Sequence, residues 1–245
     1  MKNSIAAVSA VATLLFAGAA NAGNMLGINY FEIAEPTTNG DFGPCCSSPS
    51  PATWEGNLAG TSLLGGLPVL GSGPNPNPVQ SLSGSNQILW WTNGVDGISA
   101  TPPSGTISLP YASNMFAPRS TGSGDGGDFE TAALWGTVHG TGADVQLTVS
   151  SDDDALVYLN GQYKGGNPGV HGVETSIVDL GDISGSASLD IFYADRAQVG
   201  AYLAISVSGA TTSVPELSTW VMMALGFAGL GFAGYRARRT VRLAV

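Results

Sequence analysis

Val145-Gln146-Leu147-Thr148-Val149-Ser150-Ser151-Asp152-Asp153-Asp154-Ala155-Leu156-Val157-Tyr158-Leu159-Asn160-Gly161 is the stretch whose pattern settles the fold class. Val145, Leu147 and Val149 alternate with Asp144, Gln146, Thr148 and Ser150. A period of two puts the apolar set on one face of a strand and leaves the other face wet. Ala155 to Leu159 reads as the next strand. Asn160-Gly161 tolerates positive φ at both positions, so it supplies the two-residue turn of a β-hairpin.

The same grammar extends outward. Leu189, Ile191 and Tyr193 mark a further strand, Leu203, Ile205 and Val207 another, and 24–33 a first one. The segment is rich in Gly, Ser, Thr and Pro, and no amphipathic helical pattern runs beyond a few turns. Gly71 to Pro78 and Thr121 to Gly127 read as long exposed loops. Leu63-Leu64, Leu67, Val69-Leu70, Ile88-Leu89, Trp90 and Trp91 are too scattered to argue for a second independent core, and there is no internal repeat. The expectation is an all-β chain forming a single antiparallel β-sandwich over residues 23–214. That segment, about 190 residues, can bury roughly 70% of its extended-chain surface.

Both ends read as targeting devices. Lys2 precedes an uncharged stretch from Ser4 to Ala20, and Ala20-Asn21-Ala22 has the small-x-small form of a secretory cleavage site. Residues 1–22 are therefore read as a signal peptide. At the far end, Trp220 to Tyr235 carries no charge over 16 residues. As a helix it would span about 24 Å, slightly short of a hydrocarbon core of about 30 Å. Arg236, Arg238, Arg239 and Arg242 follow it, and basic residues beside an apolar segment stay cytoplasmic. The bulk of the chain then lies outside the inner membrane, anchored at least transiently with its C-terminus inside.

Val214-Pro215-Glu216-Leu217-Ser218-Thr219-Trp220, the Gly-rich apolar run and the Arg cluster together resemble the PEP-CTERM sorting signal of Gram-negative bacteria. The resemblance covers 214–239, with Leu217 standing where a second Pro is usual. It implies recognition of Pro215 and Glu216 by an exosortase-type membrane protease, and delivery to the cell surface or extracellular matrix. An ordinary C-terminal anchor is the alternative.

Of eighteen acidic residues only Glu216 lies outside 23–214, whereas only Arg119, Lys164 and Arg196 of the eight basic ones lie inside. The resulting net charge of −14 disfavours nucleic acid, because too few cations are present to neutralise phosphates; it suits solubility and divalent cations. Cys45 and Cys46 are adjacent, and neighbours rarely reach disulfide geometry without strain. A vicinal bridge, an intermolecular bond and two free thiols all remain open. With His139 and His171 far away in sequence, no zinc ligand set is evident.

Asp152, Asp153 and Asp154 would repel one another in a bare loop, and Ca²⁺, which takes six to eight oxygen ligands, offsets such repulsion. A solvated loop whose Asp side chains make local turn hydrogen bonds is the other reading. Ser151-Asp152-Asp153-Asp154-Ala155-Leu156-Val157-Tyr158-Leu159-Asn160-Gly161 resembles the signature of PA14-type β-sandwiches and of the related fibro-slime domain. The likeness continues through Pro168-Gly169-Val170-His171-Gly172 and Phe192-Tyr193-Ala194-Asp195-Arg196, covering about 129–209, with a weaker echo in Gly27-Ile28-Asn29-Tyr30-Phe31. It implies a PA14-like fold and Ca²⁺ held by Asp152 and Asp153, with Asp154 a near neighbour. Asn160 is either a further oxygen ligand or only the turn residue. His171 either lines a ligand loop or is a hydrogen-bonded structural histidine, and Asp195 and Arg196 pair with each other or with loop carbonyls.

Catalytic patterns are thin. Gly122-Ser123-Gly124-Asp125-Gly126-Gly127 spells G-x-G-x-x-G without the strand and helix that a dinucleotide site needs. With Asp128 it also offers one copy of a calcium-binding Gly-Asp repeat, too little for a stacked β-roll. No Gly-x-Ser-x-Gly elbow occurs. The carboxylate pair of a glycosidase is spatial and leaves no sequence signature. Trp54, Trp90, Trp91, Tyr111 and Trp135 suit either core packing or stacking on sugar rings. The functional expectation is a non-enzymatic exported protein that binds carbohydrate or matrix polymer with calcium. A secreted carbohydrate-active hydrolase and a purely structural matrix component are the alternatives.

Overall fold

The computed structural model describes residues 24–34, 39–43, 53–115, 128–197 and 200–214. The signal peptide, Cys45 and Cys46, the 121–127 loop, the Pro215-Glu216 motif and the 220–235 apolar run lie outside the described residues. Among the described residues there is no helix. The strands are β1 (Met25–Ile33), β2 (Thr53–Trp54), β3 (Ala59–Leu64), β4 (Leu67–Leu70), β5 (Ile98–Ser108), β6 (Tyr111–Asn114), β7 (Phe129–Asp152), β8 (Asp154–Leu159), β9 (Gln162–Asn167), β10 (Gly169–Val170), β11 (Glu174–Ala194), β12 (Tyr202–Ser208) and β13 (Ala210–Ser213). Their pairings are antiparallel, as expected for an all-β chain.

The spine is a long ribbon of β7 against β11, running from the Ser151↔Glu174 pair to the Thr131↔Ala194 pair. Its register slips between Asp179 and Gly181 and again between Asp182 and Ser184. There the inward parity of each strand changes. Leu134 and Val138 face the core before the slip and Val145, Leu147 and Val149 after it, while in β11 Val178 and Leu180 give way to Leu189 and Ile191. Bulges of this kind bend a ribbon and reset its faces. Gly181 and Gly185 supply the positive φ values of 78° and 95° that the bend requires.

Because residues from both halves of the ribbon share one core, the ribbon folds over and contributes to two facing layers. One layer is β6–β12 joined to the C-terminal half of β7 and the N-terminal half of β11. The other runs β5–β1–β7–β11–β8–β9–β3–β4. The sandwich expected from the alternation is thereby formed.

A second core lies on the far side of the larger layer. Ile33, Phe129, Leu156, Tyr158 and Phe192 meet Phe42, Leu58, Ile88, Trp90, Trp91 and Ile98 there. The scattered apolar residues of the N-terminal half cover the outer face of the sheet. In consequence β8 is buried at all six positions.

Candidate functional site

Where β7 ends and β8 begins, away from the bend, the three aspartates turn inward. Asp152, Asp153 and Asp154 are 7%, 1% and 0% exposed, so the solvated-loop reading does not describe them. The Asp152–Asp153 peptide bond is cis. Asp152 accepts the Tyr193 hydroxyl proton on its backbone carbonyl at 2.6 Å, and its carboxylate lies against Gly200. Burial, followed by the nearby carboxylates of Asp195, Asp153, Asp152 and Glu130, pushes the Tyr193 phenol far above its ordinary pKa and keeps it a donor.

Asp153 gathers three backbone N–H groups. His171 donates to Oδ1 at 2.8 Å, and Arg196 and Ala197 donate to Oδ2 at 2.8 and 3.0 Å. Burial nevertheless pushes its carboxyl up to about 6, against the pull of the Arg196 and His171 N–H groups and of the Arg196 charge.

Asp154 serves a different purpose. The Gly169 N–H donates to its Oδ1, and the Arg196 guanidinium lies 3.5 Å from Oδ2. Burial raises its pKa well above the usual carboxylate range; Arg196 pulls it down, while Glu55 and Asp153 push it further up. Arg196 itself is fully buried, with Nη1 3.0 Å from Glu55 Oε2, Nε donating to the Asp41 carbonyl at 3.1 Å, and the guanidinium 4.7 Å from the Trp90 ring centre. Burial pulls its pKa down, but Asp154 and Glu55 more than offset that pull and leave it above the ordinary arginine value. The expected loop carbonyl is present; the ionic partners are Glu55 and Asp154.

The loop layer converges on the same hub. Glu55 Oε1 accepts from Asn77 at 2.6 Å. Asp41 accepts from the backbone N–H groups of Gln80 and Ser81 at 2.7 and 2.8 Å and from the Trp90 indole at 2.8 Å. Nothing in the sequence couples Arg196 to residues 141 and 155 positions away. The one usable signal was its rarity as a cation in an acidic segment.

Asn160 stands apart. It occupies the turn after β8 with φ of 50°, and its Oδ1 accepts from Ser188 N–H at 2.9 Å. β8 separates it from the aspartates by about 20 Å, so it is the turn residue and no ligand of this hairpin. His171, by contrast, is brought to the site, with ring nitrogens 2.8 Å from the Gly172 carbonyl and 3.3 Å from that of Asn167. Beside it stands Trp54, 57% exposed, the two ring centres 6.4 Å apart and 21° from parallel.

For a cation the donors fit in part. Among the described residues no three His, Cys, Asp or Glu side chains converge as a metal-holding group. Asp154 is committed to Gly169 and Arg196. Asp152 and Asp153 carry further carboxylate oxygens of the kind a hard cation takes, those of Asp153 already accepting three N–H groups, and the buried Asn167 Oδ1 has no hydrogen-bond partner among the described residues.

No family model matches the chain, and no curated protein matches it. Among solved structures it is similar to a PA14 sugar-binding domain from an RTX adhesin, at 16% identity and TM-score 0.33 over 74% of this chain and 89% of that one. It is also similar to the PA14 domain of the MpAFP antifreeze protein, at 14% identity and TM-score 0.33 over 78% and 93%. A further likeness is to a β-glucosidase from Kluyveromyces marxianus, at 14% identity and TM-score 0.30, covering 65% of this chain and 17% of that one. Likeness at that level leaves this chain's chemistry to be argued from its own residues.

Proposed function

We propose that this is an exported, non-catalytic cell-surface or matrix protein whose PA14-like sandwich binds extracellular polysaccharide with the help of Ca²⁺. The observation that carries the reading is the inward placement of Asp152 and Asp153. Holding carboxylates out of water is costly, and a divalent cation offsets that cost. Bound there, Ca²⁺ would supply a charge able to coordinate sugar hydroxyls. The chain's own part is to hold Asp153 rigid through three N–H groups.

The test is thermal unfolding of the purified chain with calcium and then with excess chelator, on wild type and Asp152→Asn. Calcium at a hundredfold excess over Kd stabilises by about 2.7 kcal/mol, a rise of about 5 to 10 °C. A rise in wild type that Asp152→Asn lacks supports the site; no rise in wild type sinks it.

The export reading adds an exosortase-type protease as partner, acting at Pro215-Glu216, and a passing membrane anchor at 220–235. Replacing both Pro215 and Glu216 by Ala is expected to leave the full-length form accumulating in the membrane. Unchanged processing, followed by immunoblot, would count against it.

A further inference from the structure

We infer that the Trp54 indole face is a platform on which a pyranose ring of an uncharged polysaccharide stacks, an assignment that rests on the carbohydrate reading above. Trp54 is 57% exposed, while Trp90 and Trp91 are buried. An exposed indole fixed in one orientation is a binding feature; here the fixing is explicit. Trp54 pairs with Gly169 in the short β2–β10 sheet. The next residue, Glu55, donates its N–H to the Pro168 carbonyl at 2.9 Å and anchors its buried carboxylate on Arg196 and Asn77.

The His171 ring lies alongside, nearly parallel. Both its ring nitrogens are within hydrogen-bond reach of backbone carbonyls, and its backbone N–H is one of the three that hold Asp153. Gly56 places no side chain near the indole edge; a Cβ built there would sit 3.5 Å from Trp54 Nε1. The platform is therefore preorganised and shares His171 with the aspartate hairpin.

A pyranose offers an apolar C–H face ringed by hydroxyls, the shape that an amphipathic indole accepts at low entropic cost. Charge selects among sugars: with three cations against seventeen carboxylates in 23–214, uronate or sulfate polymers are repelled. Uncharged chains are not.

The experiment measures binding of the full chain, with calcium, to a soluble β-glucan, xyloglucan, dextran and, as the anionic control, alginate. Trp54→Ala is expected to weaken binding of the glycan that wild type prefers by about tenfold, the size of a lost aromatic anchor, with an unchanged unfolding midpoint because the ring is exposed. Trp54→Phe should stay within about threefold. Bound glycan should also shield the Trp54 share of acrylamide quenching, taken as wild type minus Trp54→Phe. Unchanged affinity in Trp54→Ala overturns this inference alone. Preference for alginate overturns the uncharged class. Failure of wild type to bind any of the four overturns the carbohydrate reading, and this inference with it.

Discussion

Arg196 faces Glu55 and Asp154 with a single guanidinium, all three side chains removed from water. Taking away one partner of such a group strands the other charges, at about 3 to 5 kcal/mol. Arg196→Met should lower stability by that amount in denaturant titration, and adding Glu55→Gln and Asp154→Asn should recover part of it. A loss below about 1 kcal/mol, the level of an exposed ion pair, would show that the hub is not structural. Asp153 gives a second residue-level expectation. Its carboxyl is pushed up to about 6 by burial, whereas in an unfolded chain it titrates near 3.9. The native state then holds a proton that the unfolded state has lost, so its stabilising effect is complete below about pH 4 and disappears as pH rises through about 6. With chelator present, the unfolding midpoint should fall between pH 4.5 and 7 more steeply in wild type than in Asp153→Asn. Equal slopes would remove Asp153 as the cause. Calcium at the proposed site would compete with that proton, so its affinity should weaken below about pH 6.

The β8–β9 hairpin separates what the sequence displayed from what it hid. Asn160-Gly161 was readable as a turn because both residues accept positive φ, and they adopt 50° and 72°. The alternation at Val145, Leu147 and Val149 was readable because only one face of that part of β7 is covered. Two-sided burial of β8 matches its unbroken apolar run from Ala155 to Leu159, but the source of its cover was hidden, since Leu58, Ile88, Trp90 and Trp91 lie in irregular chain with no period of its own. The bend was equally silent: a parity change looks like a pattern lost. At the site, the aspartates were legible as a run of like charge, but the division of labour among them depends on donors from 169–171 and 196–197, which only the folded chain assembles. The hairpin makes its own prediction. Asn160→Ala removes the Ser188 bond and puts a β-carbon residue without local hydrogen bonding in the left-handed region, about 1 to 3 kcal/mol together. The calcium-dependent shift should survive intact in this variant, and its disappearance would return Asn160 to the ligand set.

At the scale of the molecule, the two ends of the described domain meet. Thr212 donates its N–H to Asn24 Oδ1 at 3.2 Å, β13 lies on β7 over Thr137 to Gly140, and β1 begins on the same strand at Trp135. A tether attached beyond residue 214 would therefore lie close to residue 24. The proximity can be tested by moving the ends. A linker of about six residues reaches about 20 Å, enough to join 213 to 24. New termini fit between Gly65 and Gly66, an exposed turn between β3 and β4 where Gly66 has nothing within 4 Å of a built Cβ. Cutting there removes no side-chain packing, and the closed linker restores the covalent loop at little entropic cost. The permuted chain should unfold in one cooperative transition, with wild-type calcium response, because the bent β7–β11 ribbon and both cores remain uninterrupted. A permutant that shows no cooperative unfolding would mean that the ends are not neighbours, or that the β3–β4 turn is needed to place the loop layer on the sheet. Probing Trp90 and Trp91 burial in the same sample distinguishes these. A lost loop layer exposes both indoles; misjoined ends leave them covered while β1 and β13 fray.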